Sequence, residues 1–168
     1  MKKYVFTAWN SEYKLFFVSE RKRLRSALGG SARIQHVGST SIPGLGGKGI
    51  LDIVVGVPTG KVDKMKQRLV ENGYLFREKA STTDRLFFRR DYPDDDSLRR
   101  VHVHLTAYRS TDWHEMVSFR DYLLRRPEAV EEYVLVKRKA VAKARGKGDV
   151  YRKHKERFIK NILRKVEL

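Results

Sequence analysis

The stretch that most restricts the fold is Ile34–Val57, IQHVGSTSIPGLGGKGILDIVVGV. It has two apolar runs, a loop of glycines and hydroxyl residues between them, and one acid inside the second run. Ala32 to Val37 reads as a strand and Gly38 to Gly49 as a long exposed loop. Ile50 to Val57 reads as a strand apolar along nearly all its length, the pattern of a strand covered on both faces. A lone carboxylate in such a strand is costly unless a cation or several donors surround it, so Asp52 is expected to have a partner. The loop supplies Gly38, Gly44, Gly46 and Gly47, the hydroxyls of Ser39, Thr40 and Ser41, and the ammonium of Lys48. Backbone N–H groups, hydroxyls and one positive charge are the equipment for holding phosphate oxygens.

A chain of 168 residues is long enough for one compact core, so a single domain over 1–168 is expected, with a helical C-terminal subregion from residue 110. The absence of any run of eighteen apolar residues, and a start (MKKYVFTAWNSEYK) that turns polar early, predict a soluble cytoplasmic protein with no membrane partner. With 0 cysteines, disulfides and thiolate zinc sites are excluded. The 37 basic and 20 acidic side chains give +17, and the stretch from Lys137 to Leu168 alone holds 13 basic and 3 acidic residues. Such a surplus attracts phosphate-rich partners, nucleotide or RNA, although a solvated basic helix face gives the same composition.

Tyr4 to Thr7 reads as a short strand or arm. Asn10 or Ser11 caps a helix that buries Phe16, Phe17, Leu24 and Leu28 and stops at Gly29-Gly30. A second helix carries Val62, Met65, Leu69 and Val70 and ends at Asn72-Gly73. Tyr74 to Phe76, Arg85 to Arg90 and Arg100 to Ala107 read as strands, the last two flanking an acidic solvated loop from Asp91 to Ser97. Three helices close the chain: about Asp112 to Arg125, one opened by Pro127 and broken at Gly146 and Gly148, and one from near Asp149. Strands early and helices late predict an α+β fold, a mixed β-sheet covered by helices on one face.

Side chains alternate across a strand. Leu51, Ile53, Val55 and Val57 therefore point one way, and Asp52, Val54 and Gly56 the other. In Arg100 to Ala107, Val101, Val103 and Leu105 oppose His102 and His104. If the two strands are neighbours with their apolar faces on helices, Asp52, His102 and His104 converge under the loop. The histidines are then either hydrogen-bonded structural residues or ligands of metal or phosphate.

At HVGSTSIPGL, Lys48 and Asp52 the chain resembles the GrpB family, which is classed with the nucleotidyltransferase superfamily. Further along, Gly73-Tyr74, His102-Val103-His104 and Phe119 to Leu123 resemble the family's pattern. So do Pro127, Glu128, Tyr133 and Lys137, and then Tyr151, His154, Lys155 and Phe158. The resemblance covers almost the whole chain. It implies a nucleotidyltransferase-like fold with Gly38-Ser39 followed by a metal-binding acid, Asp52, and Mg2+ or Mn2+ as cofactor. Superfamily enzymes carry a second acid two residues on, where this chain has Val54. His102 and His104 would complete the metal site, although imidazole suits manganese better than magnesium. Gly49 stands where the family has proline after the lysine.

Two functions compete at this point. In the first, a nucleotidyl group passes from a nucleoside triphosphate to an acceptor. Gly38, Ser39, Thr40, Ser41 and Lys48 hold phosphates, Asp52 and Lys48 are catalytic, and Arg85, Arg120, Arg152 and Lys155 are outer phosphate contacts. In the second, the same fold binds a nucleotide, a coenzyme A precursor or RNA without chemistry, which Val54 favours. The resemblance adds that some family members are joined to a kinase that finishes coenzyme A synthesis.

Overall fold

A computed structural model describes residues 7–93 and 98–167. Helix α1 (Glu12–Leu28) leads into strands β1 (Arg33–Val37) and β2 (Leu51–Val57). Helix α2 (Val62–Glu71) and strands β3 (Leu75–Phe76), β4 (Arg85–Pro93) and β5 (Leu98–Ala107) follow. Three helices complete the chain: α3 (Thr111–Leu124), α4 (Pro127–Ala144) and α5 (Gly148–Val166). The sheet order is β1-β2-β5-β4-β3. Only the central β2–β5 pair is parallel, β1–β2, β4–β5 and β3–β4 being antiparallel.

Local chemistry sets the boundaries. The Asn10 side chain accepts a hydrogen bond from the Glu12 N–H at the start of α1, and the Ser110 hydroxyl accepts from the Trp113 N–H at the start of α3, satisfying donors that a helix leaves open. Pro127 occupies the first turn of α4, where its missing N–H costs nothing. Gly73, at φ 89°, closes the turn after α2.

One face of the sheet is apolar. Leu51, Ile53, Val55 and Val57 join Val101, Val103, Leu105 and Phe88 beneath Leu24 and Leu28 of α1 and Met65 and Leu69 of α2. Burying that many aliphatic side chains, at roughly 1.5–3 kcal/mol each, is the main driving force for this layer. The chain's other helices gather elsewhere. Trp113 of α3 packs on Val37 and Val54 of the opposite sheet face, and α3, α4 and α5 enclose a second cluster of Leu123, Ala129, Tyr133, Phe158 and Ile162. The α+β class, the mixed sheet and the helical C-terminal part are therefore as the sequence predicts.

Two expectations need correction. The segment Gly38–Gly49 is not a long exposed loop, because Ile42 and Leu45 are swallowed by the helical cluster and Thr40 is only 3% exposed. Its first part is a single 3-10 turn, Ser39–Ser41. The acidic loop also begins later than Asp91: Asp91, Tyr92 and Pro93 extend β4, with Asp91 held by Arg100 at 2.8 Å, and the remainder, residues 94–97, lies outside the described residues. Of the expected arm Tyr4 to Thr7, only Thr7 falls within them, and it forms an antiparallel bridge to Gly47.

Candidate functional site

Strand register creates the site. Because β2 and β5 run parallel with Asp52 opposite His102 and Val54 opposite His104, the acid and both imidazoles share the face away from α1 and α2. His102 Nδ1 lies 3.6 Å and His104 Nε2 3.4 Å from the same oxygen, Asp52 Oδ1. Phe87, the β4 neighbour of His104, meets both rings edge-on at 4.7 and 5.1 Å and fixes their tilt. Burial by itself pushes the Asp52 carboxyl up, but hydrogen bonds and charge from His102 and His104 outweigh it and hold the group far below the usual carboxylate range. The acid is ionised at every physiological pH.

Above it sits the turn. Gly38 has φ 73°, and a Cβ there would lie 2.6 Å from Asp52 Oδ2, so only glycine lets the backbone pass this close to the carboxylate. The Ser41 hydroxyl donates to Gly38 O at 2.6 Å, and Trp9 Nε1 donates to Thr40 O at 2.9 Å. Thr40 Oγ1 pairs with His36 Nε2 at 2.8 Å, and the His36 ring stacks on Phe17 at 4.8 Å. Burial pushes His36 down to about 4, so it is a neutral partner that locks the turn.

The helical part faces this turn with cations. Lys137 of α4, only 2% exposed, donates to Gly46 O at 3.1 Å and lies 4.8 Å above the Tyr133 ring. A Cβ on Gly47 would fall 2.7 Å from Ser39 Oγ and 2.9 Å from Lys137 Nζ, which places the ammonium beside the Ser39 hydroxyl. Lys48 and Lys155 share the Tyr151 ring at 4.8 and 4.9 Å. Burial pushes Lys137 down to about 7, with Lys155 and Lys48 adding repulsion and Asp52 opposing it. Lys155 is pushed down to about 8, burial again the largest cause, and Lys48, which is exposed and so screened by solvent, is pushed in the same direction. Three lysines crowded around two tyrosine rings, with the charge of Asp52 registering on all of them, form a positive cluster.

The remaining sequence candidates are placed differently. Arg152 adds its charge to Lys48 from the exposed side of α5. Arg120 is occupied at β1, donating to Gln35 Oε1 at 2.8 Å and His36 O at 2.9 Å while gripping Asp121. Arg85 pairs with Thr106, four residues along β5 from His102 and so roughly 13 Å away. Its Nε is buried and has no hydrogen-bond partner among the described residues. Val54 is fully buried against Val37 and Trp113.

Sequence reasoning gave no role to Lys137 or Tyr151. The signal was present. Ala129, Tyr133, Lys137, Ala140 and Ala144 are the buried stripe of α4, so Lys137 is a lysine on the inward face of an amphipathic helix, where a charge is normally avoided.

A mixed five-stranded sheet with a helical part alongside is similar in fold to solved nucleotidyltransferases. The Cid1 poly(U) polymerase bound to MgGTP superimposes with a TM-score of 0.55 over 79% of this chain and 43% of that one, at 14% identity. Residues 4–165 match the family model described as GrpB protein, and the chain belongs to that family. It is 31% identical to the glutamate-rich protein GrpB of Alkalihalophilus pseudofirmus over 96% of this chain and 95% of the relative. The crystal structure of conserved protein GrpB from Enterococcus faecalis matches with a TM-score of 0.81 and 25% identity, over 96% of each chain. Other relatives are longer: the chain spans 61% of one from Pseudomonas aeruginosa, 44% of one from Bacillus subtilis and 41% of a dephospho-CoA kinase from Mycolicibacterium paratuberculosis.

The Cid1 structure holds its GTP with magnesium, and the residues of this chain compare with such a site as follows. Among the described residues no group of three His, Cys, Asp or Glu side chains forms a metal centre. Val54 seals the position of a second acid, and both imidazoles are aimed at one oxygen of Asp52. These residues do not fit a resident two-ion centre. No helix among the described residues is long and apolar enough to cross a membrane.

Proposed function

We propose that the chain binds a nucleoside triphosphate between the Gly38–Ser41 turn and the lysines of α4 and α5, and transfers its nucleotidyl group to an acceptor. The observation that carries this reading is the gathering of Lys48, Lys137 and Lys155 beside the turn that passes over Asp52, with the Ser39 hydroxyl next to Lys137. In the transfer, an acceptor oxygen forms a bond to the α-phosphorus as the bond from that phosphorus to the pyrophosphate oxygen breaks. The acceptor's proton passes to solvent. The three ammonium groups meet the charge that develops on pyrophosphate, the kind of contact that is worth roughly 3–4 kcal/mol in a transition state. A divalent ion delivered with the triphosphate would neutralise further phosphate charge at Asp52.

A second reading has its own support. With Val54 buried and one acid in place of two, the same cradle serves as a binding module for a nucleotide, a coenzyme A precursor or RNA. The longer relatives, one of them a dephospho-CoA kinase, keep the coenzyme A precursor in view.

Isothermal titration of ATP, GTP, CTP and UTP, with magnesium, manganese or EDTA, tests both. Binding that is lost in Lys137→Met and Lys155→Met, together with pyrophosphate release that is lost in Asp52→Ala, supports transfer. Binding without turnover supports the module. No binding of any triphosphate or of dephospho-coenzyme A sinks the proposal.

A further inference from the structure

Away from this site, α4 turns a second stripe outward. Glu128, Glu131, Leu135, Arg138 and Ala142 are all exposed and recur every three or four residues, so they form one line along the helix. Beside the line runs an apolar groove of about 660 Å³ whose walls include Ile42, Pro43, Leu123, Leu124, Val130 and Val134. Leu135 is 59% and Leu124 49% exposed. Large aliphatic side chains grouped beside a groove, on a chain otherwise well supplied with charge, mark a surface that is covered in use.

The charges identify what covers it. Glu131 and Arg138 are seven residues apart, two helical turns, with Leu135 between them, and both line the groove. Two α4 helices laid antiparallel about a two-fold axis near Val134 and Leu135 bring Glu131 of each copy against Arg138 of the other. Because an isologous contact is made twice, both charge pairs are satisfied by one rotation. The same rotation carries each Leu135 to the mouth of the opposite groove. We propose that a second copy of this chain occupies the groove, forming a two-fold dimer through α4. The proposal stands apart from the nucleotide reading, since none of these side chains belongs to the lysine cluster. It touches that site through Ile42 and Pro43, which continue the turn that carries Ser39 to Ser41.

The chain has 0 cysteines, which makes cross-linking decisive. Leu135→Cys, next to the axis, should form a disulfide-linked dimer under mild oxidation, and a cysteine at an exposed control position such as Lys64→Cys should not. Sedimentation equilibrium at moderate salt, chosen so that +17 on each copy does not dominate by repulsion, reads the dissociation constant. Glu131→Arg turns two attractive pairs into two repulsive ones and should weaken the dimer by about tenfold or more. Adding Arg138→Glu restores opposite charges across the axis and should bring the constant back to within about threefold of the parent. Circular dichroism confirms that each variant folds. A monomer at all concentrations overturns the proposal. So does a dimer that ignores Glu131→Arg and leaves Leu135→Cys uncross-linked, since that dimer uses another face.

Discussion

The sharpest test of the site geometry compares two glycines with the same backbone and different surroundings. Gly38 and Gly49 both have φ 73°, so alanine at either costs the same left-handed penalty, about 1–2 kcal/mol. At Gly49 the new Cβ meets the Tyr13 hydroxyl at 3.1 Å, the far end of a side chain that can swing away. At Gly38 it meets Asp52 Oδ2 at 2.6 Å, Cβ at 2.9 Å and Cγ at 3.1 Å, and the Asp52 Cβ is fixed by β2 and cannot rotate clear. Overpacking of that kind adds about 1–3 kcal/mol. Gly38→Ala should therefore lose about 2–5 kcal/mol and Gly49→Ala about 1–2 kcal/mol. For a chain of this length the gap amounts to about 2–12 °C in Tm, read by circular dichroism melts at one pH and scan rate. Gly38→Ala should also move the ring resonances of His102 and His104, because Asp52 is pushed off both. Equal melting temperatures, or undisturbed histidine signals, would show that the turn does not press on the carboxylate and would undo the site as described.

Other expectations follow from the same contacts. Among the described residues Lys137 has no carboxylate at hydrogen-bond range, and its ammonium is deeply buried, so Lys137→Met should abolish triphosphate binding while stabilising the fold at neutral pH by about 1–3 kcal/mol, measured by urea titration. The three lysines, held at about 7, 8 and 8, bind fewer protons folded than unfolded between about pH 8 and 9.5. The unfolding free energy should then rise with pH across that window and level off below about pH 7, and the rise should shrink in Lys137→Met. Replacing the aromatic platform with Tyr151→Leu should weaken tripolyphosphate binding by about tenfold, as titration calorimetry would report, since both Lys48 and Lys155 lose their ring. Val54→Asp, which restores the second acid in sequence, should cost at least about 3 kcal/mol and confer no manganese affinity by calorimetry, because the position is sealed under Trp113.

Much of this was legible because strand periodicity is a strict two-residue repeat. Asp52, His102 and His104 could be assigned to one face before any pairing was known, and the parallel register of β2 with β5 then set them side by side. Family resemblance added the order of the strands' chemistry. What escaped was tertiary. The burial of Gly38–Gly49 depends on Ile42 and Leu45 meeting α3, α4 and α5, contacts made across about a hundred residues, and local composition reads glycine and serine as exposed loop. Arg120 is interleaved with plausible phosphate contacts in sequence, yet its partners Gln35 and His36 lie on β1. Lys137 was missed for the opposite reason: its position on the apolar stripe of α4 was visible, but a lysine there carries meaning only once Gly46 and Ser39 are seen beside it.

On the proposed reading, the lysines stand in for the cations that a two-carboxylate centre would import. In a centre built on two carboxylates, protein charge is negative and cations are imported to meet the phosphates. Here the resident charge is reversed: one ionised acid, three ammonium groups and the nearby Arg152. A triphosphate entering such a site brings further negative charge to the lysines and raises their proton affinity, so binding should take up protons. Burial then works in favour of affinity at Lys137 and Lys155, because a low dielectric strengthens an ammonium–phosphate contact once it forms. Affinity should fall above about pH 8 as the lysines lose their protons, and titration at pH 8 in buffers of different ionisation enthalpy should show net proton uptake. Proton release there would mean that the cluster is not where the phosphates go.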